Sequence, residues 1–190
     1  MHDNPLDAGS WMIDLDSWII LDGNYPDFYT GQRADFAVEF ASRDGLTRLD
    51  GAPEPRVRWI ADSRYEVTAQ VVYDEPNAQV IDFGALAYHF IGIEDPEHRS
   101  QVGSWVTGEI NLGVDPFFYF DELADVEGFP ALIYSWTVQE VLQREEASRL
   151  VTVERTDAWG DVSTSPSYVL HCRMEPAPRS SVRSPGHTMS

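Results

Sequence analysis

Lysine is absent from the 190 residues: all thirteen basic side chains are arginine, against 32 Asp and Glu, which leaves a formal charge of −19. A deficit of positive charge on this scale repels a phosphate backbone and an anionic lipid surface, so neither nucleic acid nor a membrane is expected as a partner. The arginine-only choice points to a GC-rich prokaryotic genome. Cysteine occurs once, at Cys172. No intramolecular disulfide can form, no Cys and His spacing suits a zinc site, and the expected setting is a reducing cytoplasm with no bound metal.

Long apolar runs are missing as well. The longest, Trp18–Leu21, is far too short to span a bilayer, and the opening Met1-His2-Asp3-Asn4-Pro5 is acidic where a secretory signal would be basic. There is no glycine-rich phosphate loop, dinucleotide fingerprint, Gly-x-Ser-x-Gly elbow or His-Glu-x-x-His helix. Phosphoryl transfer, hydride transfer and the familiar hydrolyses therefore have no support, and no cofactor is expected. Cys172 adjoins His171, but neighbours on a strand point to opposite faces, which argues against a Cys–His pair. Helix signals are scarce too. One short helix is expected from Asp121 to Val126, where Asp121, Glu122 and Asp125 suit a positive helix start.

What the chain does have is alternation. Trp11, Ile13 and Leu15, then Phe36, Val38 and Phe40, then Tyr65, Val67, Ala69, Val71 and Tyr73 recur at every second position, the mark of half-buried strands. Val80–Phe90 is apolar on both faces and reads as one central strand, the second arm of a hairpin that starts at Arg64 and turns at Asp74-Glu75-Pro76-Asn77. Further strands are expected at Trp105–Leu112, Leu132–Leu142, Leu150–Arg155 and Ser167–Met174, and a long loop at Arg43–Pro55. The expected fold is all-β: a small antiparallel barrel or barrel-like sandwich with at most short helices, one domain over residues 1–174. An oligonucleotide-binding-type barrel is one topology for Tyr65–Leu142, without the ligand that name implies. Residues 175–190, rich in Pro and Ser, read as a flexible tail.

The acidity is concentrated. Residues 65–143 contain fourteen acids and one arginine, Arg99, and they also hold the densest aromatic run, Phe117-Phe118-Tyr119-Phe120. A one-signed field over such a surface speeds encounter with a basic partner by roughly 10- to 1000-fold. The leading expectation is a non-catalytic domain that captures a basic protein, as an inhibitor, immunity-type or assembly factor would, with Asp121, Glu122, Asp125 and Glu127 as the docking surface. Acidity of this kind also arises across whole proteomes without a specific role. The alternative is a small barrel enclosing an apolar small molecule, as a carrier or a cyclase-like enzyme, with Tyr88, Trp105, Tyr134 and Trp136 lining the cavity. Four residues are the polar candidates for either site. Asp82 sits in an apolar strand and must be paired, hydrogen-bonded or protonated if buried; Glu109, Asp115 and Tyr119 flank the aromatic run, with Asp115-Pro116 also a plain turn former.

Overall fold

A computed structural model describes residues 9–90, 100–145, 149–160 and 166–178. Twelve strands follow one another with two short helical pieces between them: β1 (Ser10–Asp16), α1 (Ser17–Leu21), β2 (Arg33–Phe36), β3 (Val38–Ala41), β4 (Thr47–Leu49), β5 (Arg56–Ala61), β6 (Arg64–Glu75), β7 (Ala78–Asp82), β8 (Leu86–Phe90), β9 (Trp105–Val114), a π-helical turn at Tyr119–Leu123, β10 (Tyr134–Arg144), β11 (Leu150–Val153) and β12 (Ser167–Met174). The chain is all-β, and five strands close a barrel.

The barrel is the ring β9-β3-β8-β7-β6, sealed where β6 returns to β9 over Arg64↔Asn111 through Gln70↔Trp105. Alternation sets what fills it. Val67, Ala69 and Val71 of β6, Ile81 of β7, Ala87 of β8, Val106, Ile110 and Leu112 of β9 and Val38 and Phe40 of β3 are buried in one hydrophobic core, while Glu66, Thr68 and Gln70 take the other face of β6. A bulge between Val71 and Tyr73, opposite Ile81 and Val80, bends β6 at the barrel corner. The ring draws β3 from ahead of residue 65 and leaves β10 outside, so the barrel does not coincide with the Tyr65–Leu142 stretch. Local alternation identifies strands but not their long-range partners.

Val80–Phe90 is a tight hairpin rather than one strand. β7 and β8 pair antiparallel from Ala78↔Phe90 to Asp82↔Leu86, and the turn between them places Gly84 at φ 104°, a conformation that only glycine adopts without strain. Val80, Ile81, Ala87 and Tyr88 are buried on the two arms, which is why the stretch reads as apolar on both faces. The expected Arg43–Pro55 loop contains β4, paired with β9, and the apolar Trp18–Leu21 run belongs to α1.

A second sheet grows from the barrel wall. β12 lies between β1 and β10, and β10 pairs on its other side with β2 and then β11. β1 meets β9 in parallel at Asp14↔Gly113. The connection from β9 to β10 folds back over the outside of β7 and β8, where Tyr119, Leu123, Leu132 and Ile133 cover Ala37, Ala78, Val80 and Tyr88 in a separate small core. Glu175, placed in the expected tail, is still tied down: its N–H donates to the Ser135 carbonyl at 2.9 Å and its carboxylate pairs with Arg33 at 2.8 Å. Residues 179–190 lie outside the described chain.

One buried phenol reinforces the joint between barrel and sheet. Tyr65 of β6 receives the Met12 N–H of β1 on its hydroxyl oxygen at 2.6 Å and packs its ring against Trp11 at 5.6 Å. Tyr65→Phe leaves the Met12 N–H without its acceptor, and a loss of about 1–3 kcal/mol is expected from the shift of the urea midpoint, with an unchanged far-ultraviolet spectrum.

Candidate functional site

Strand register lines up a row of polar side chains on the outside of the barrel. Asp14 of β1, Gly113 of β9, Glu39 of β3 and Tyr88 of β8 are successive partners across four strands. Val38 and Phe40 point into the barrel, so Glu39 must point out. Gly113 contributes no side chain to the row, and Glu39 leans into the space this leaves: a Cβ at 113 would sit 3.3 Å from its Oε1. Asp115 follows two residues after Gly113, on the same side of the chain, and its N–H donates to the Ala37 carbonyl at 3.0 Å.

Asp115 is fully buried. Its Oδ1 accepts the Tyr88 hydroxyl at 2.5 Å and the Tyr119 N–H at 3.2 Å, and the Phe117 and Phe118 N–H groups also favour its charge. Its Oδ2 has no partner among the described residues, and the same is true of the nearby Tyr25 hydroxyl. Burial pushes the Asp115 carboxyl up to about 6 against these hydrogen bonds. Burial also raises Glu39 to about 7, helped by the charges of Asp115 and Asp16. Both phenols are held well above their usual range, first by burial and then by Asp115, so Tyr88 remains a donor.

Asp115 thus caps a turn of unusual backbone. Phe117 stands at φ 80°, a left-handed conformation that costs of order 1–3 kcal/mol for a bulky residue and persists only when its surroundings enforce it. Beyond it the chain makes one π-helical turn, in which the Ala124 N–H reaches the Tyr119 carbonyl at 2.7 Å. This replaces the expected Asp121–Val126 helix. Tyr119 and Leu123 anchor the turn inward, Tyr119 also accepting the Leu132 N–H at 3.3 Å, while Asp121, Glu122, Asp125 and Glu127 are exposed. Ahead of these acids in the chain, Phe118 (41% exposed) stacks on Phe90 (37% exposed) with ring centroids 5.3 Å apart.

Of the four polar candidates, then, the structure brings together only Asp115 and Tyr119. Asp82 is at the tip of the β7–β8 hairpin, where its Oδ1 accepts the Gly84 N–H at 2.9 Å and shapes the turn. The apolar run on either side predicts a buried strand position for Asp82, but the turn at Gly84 sets it at the hairpin tip instead. Glu109 is exposed on the barrel wall opposite Glu66. Nor do the four aromatic candidates share one cavity. Tyr134 and Trp136 are core residues, with Trp136 stacked on Phe36 at 5.2 Å and Tyr134 accepting the Leu86 N–H at 2.9 Å. Tyr88 belongs to the outer core, and Trp105 is half-buried on the barrel's outer face between Gln70 and Leu49. Large rings at strand spacing here fill space rather than enclose it.

Glu39 also lines a cleft of about 370 Å³ between the second sheet and the Asp62–Ser63 turn. Arg144 bridges its rim, 3.0 Å from Asp14 and 3.2 Å from Asp62. Asp14 and Asp62 thus share one arginine, Arg64 also lines the cleft, and among the described residues Glu39 forms no ion pair. Glu39, Arg144 and Tyr25 were not singled out by the sequence, since Glu39 is simply the polar position in a Val-Glu-Phe alternation. The one local hint is Gly113, a strand glycine marking a close approach.

The raised carboxyls fix the sign of a pH effect. Glu39 and Asp115 bind their protons more tightly in the folded chain than unfolded, so their contribution favours folding below the unfolded values near 4 and is lost as pH rises through about 6 and 7. Thermal midpoints should therefore rise on acidification from about pH 8 to about pH 5.5, and Glu39→Gln should stabilise by about 1–3 kcal/mol at the upper pH while changing little at the lower one. A Glu39→Gln effect that is the same at both pH values would show that Glu39 is not raised. No family model, curated protein or solved structure matches this chain, and the reading of the site rests on its own geometry.

Proposed function

We propose that this is a non-catalytic acidic β-domain that binds a protein with a basic surface, through the Phe90–Phe118 pair and the acids of the turn beside it. One observation carries the reading: an exposed stacked aromatic pair whose Phe118 leads, along the chain, into a turn held by a buried carboxylate and into the exposed Asp121, Glu122, Asp125 and Glu127. Interfaces are built this way, with a few rigid aromatic anchors at the centre and a charged rim that sets orientation and encounter rate. A floppy loop would lose more entropy on docking; a turn pinned by Asp115, Tyr119 and Leu123 has lost it already. Charge complementarity selects the partner, since residues 121–127 contain four acids and no base in a chain of net charge −19. The expected cytoplasmic setting and the absence of nucleic acid among its ligands belong to the same reading. The inward side chains of the barrel strands belong to one hydrophobic core, which supports the protein-binding reading over an enclosed apolar metabolite.

The test separates this surface from acidity in general. An arginine-rich peptide is titrated against the wild type, against Asp121→Asn, Glu122→Gln, Asp125→Asn and Glu127→Gln combined, and against a control that neutralises the exposed Asp22, Asp44, Asp50 and Glu54. The turn variant should associate at least about tenfold more slowly at low salt, with a flatter salt dependence, and the control only slightly more slowly. Phe118→Ala should speed dissociation at an unchanged association rate, a loss of about 1–2 kcal/mol. Equal losses in the turn variant and the control would remove the docking surface and leave only general acidity.

A further inference from the structure

Asp115 and Glu39 do more than hold charge out of water. We propose that they form a buried, proton-accepting pair that sets the order of the Phe117–Leu123 turn, firm when Asp115 is ionised and loosened when it is protonated, so that the docking surface responds to pH. The inference rests on the docking reading for its purpose but not for its physics.

The geometry is a clamp on strained backbone. One oxygen of Asp115 takes the Tyr88 hydroxyl and the Tyr119 N–H, and the Phe117 and Phe118 N–H groups also favour its charge. Hydrogen bonds to an ionised acceptor are roughly twice as strong as neutral ones. The bonds that keep Phe117 at φ 80° are thus strong only while Asp115 is charged. The incoming proton goes to Oδ2, the oxygen that no donor faces. Protonation removes the cost of burying the charge, and in the same step weakens the clamp.

The groups around the pair make the ionised state easy to lose. Glu39 faces Asp115 from β3, Tyr88 from β8, Tyr25 from the segment after α1 and Tyr119 from the turn itself, while Asp16 at the end of β1 acts on Glu39. On its cleft side Glu39 also shares the lining with Asp14, Asp62, Arg64 and Arg144, but the groups acting on Asp115 itself are acids, phenols and N–H donors, and among the described residues neither Asp115 nor Glu39 forms an ion pair with an arginine. The raised carboxyls place the change near neutrality. It has an unusual signature: on acidification the whole fold gains stability while this one turn loses order.

Amide exchange on the full chain reads both at once and needs no partner. Protection factors, corrected for intrinsic rates, are compared at about pH 8 and about pH 5 for the Phe118–Leu123 amides and for those of β6 and β9. The expected result is a drop of roughly tenfold in the turn at the lower pH with none in the barrel strands. Asp115→Asn should show the low turn protection at both values. If that variant does not fold, Tyr88→Phe decides: removing the hydroxyl that favours the Asp115 charge should move the midpoint of the turn's transition to higher pH, by about one unit. A turn whose protection is independent of pH, or follows the barrel strands, overturns the proposal, as does an unmoved midpoint in Tyr88→Phe. The docking reading stands or falls separately, on the charge substitutions at one fixed pH.

Discussion

The carboxylate of Asp115 ties together parts of the chain that are far apart in sequence: β8 through Tyr88, the end of β9 through its own backbone, and the start of the π-helical turn through Tyr119. Buried carboxylates are costly unless they are well supplied with donors, because the low-dielectric interior cannot replace hydration. Here the donors come from the very segment whose backbone conformation is least favourable. The two costs offset each other, since the turn needs an acceptor and the carboxylate needs N–H groups. Removing either one leaves the other stranded, and for that reason the outer core over β7 and β8, the Phe117 conformation and the exposed Phe118 are best regarded as one cooperative feature.

That arrangement in turn depends on β9. Over its first part it pairs with β6 and β4, then with β3, and at Gly113 it also touches β1. Its inward residues belong to the barrel core, and its outward side carries the gap that Glu39 fills. The second sheet therefore shares a strand with the barrel wall instead of packing on it as a separate layer, and Tyr65 reinforces the joint from β6 to β1. Polar groups collect along this seam because strands diverge there and leave backbone and side-chain atoms that the ladder does not satisfy.

How much of this could be read in the sequence follows from the range of each interaction. Alternation is local, so β1, β6, β9, β10 and β12 are visible in Trp11–Leu15, Tyr65–Tyr73, Trp105–Leu112, Leu132–Leu142 and Ser167–Met174, and with them the all-β class. The Asp121–Glu127 acids and Phe118 are also legible, because exposure and charge need no partner. Asp82 shows where the method fails: an apolar run hides a hairpin when both of its arms are buried, and only the glycine at 84 betrays the turn. Glu39 was invisible for a different reason. Its surroundings are made by β9 and β8, more than forty residues away in sequence, and pairing across that distance leaves no trace in a local pattern. Asp115 lies between the two cases, since its turn-forming role is written in Asp-Pro but its burial is not.

The strand order also governs when the molecule can form. β3 is made early, yet both its barrel neighbours, β8 and β9, come much later, and β1 finds its full-length partner only in β12. During synthesis the N-terminal strands must wait, unpaired, for residues up to Val114 before the barrel can close and up to Met174 before the second sheet can. Non-local pairing of this kind makes for slow folding, because loop closure costs entropy before any contact rewards it. For that interval Trp11, Ile13, Val38 and Phe40 present apolar faces to the cell with nothing to cover them, and a strongly negative chain has a second use then: nascent copies repel one another until the last strand arrives.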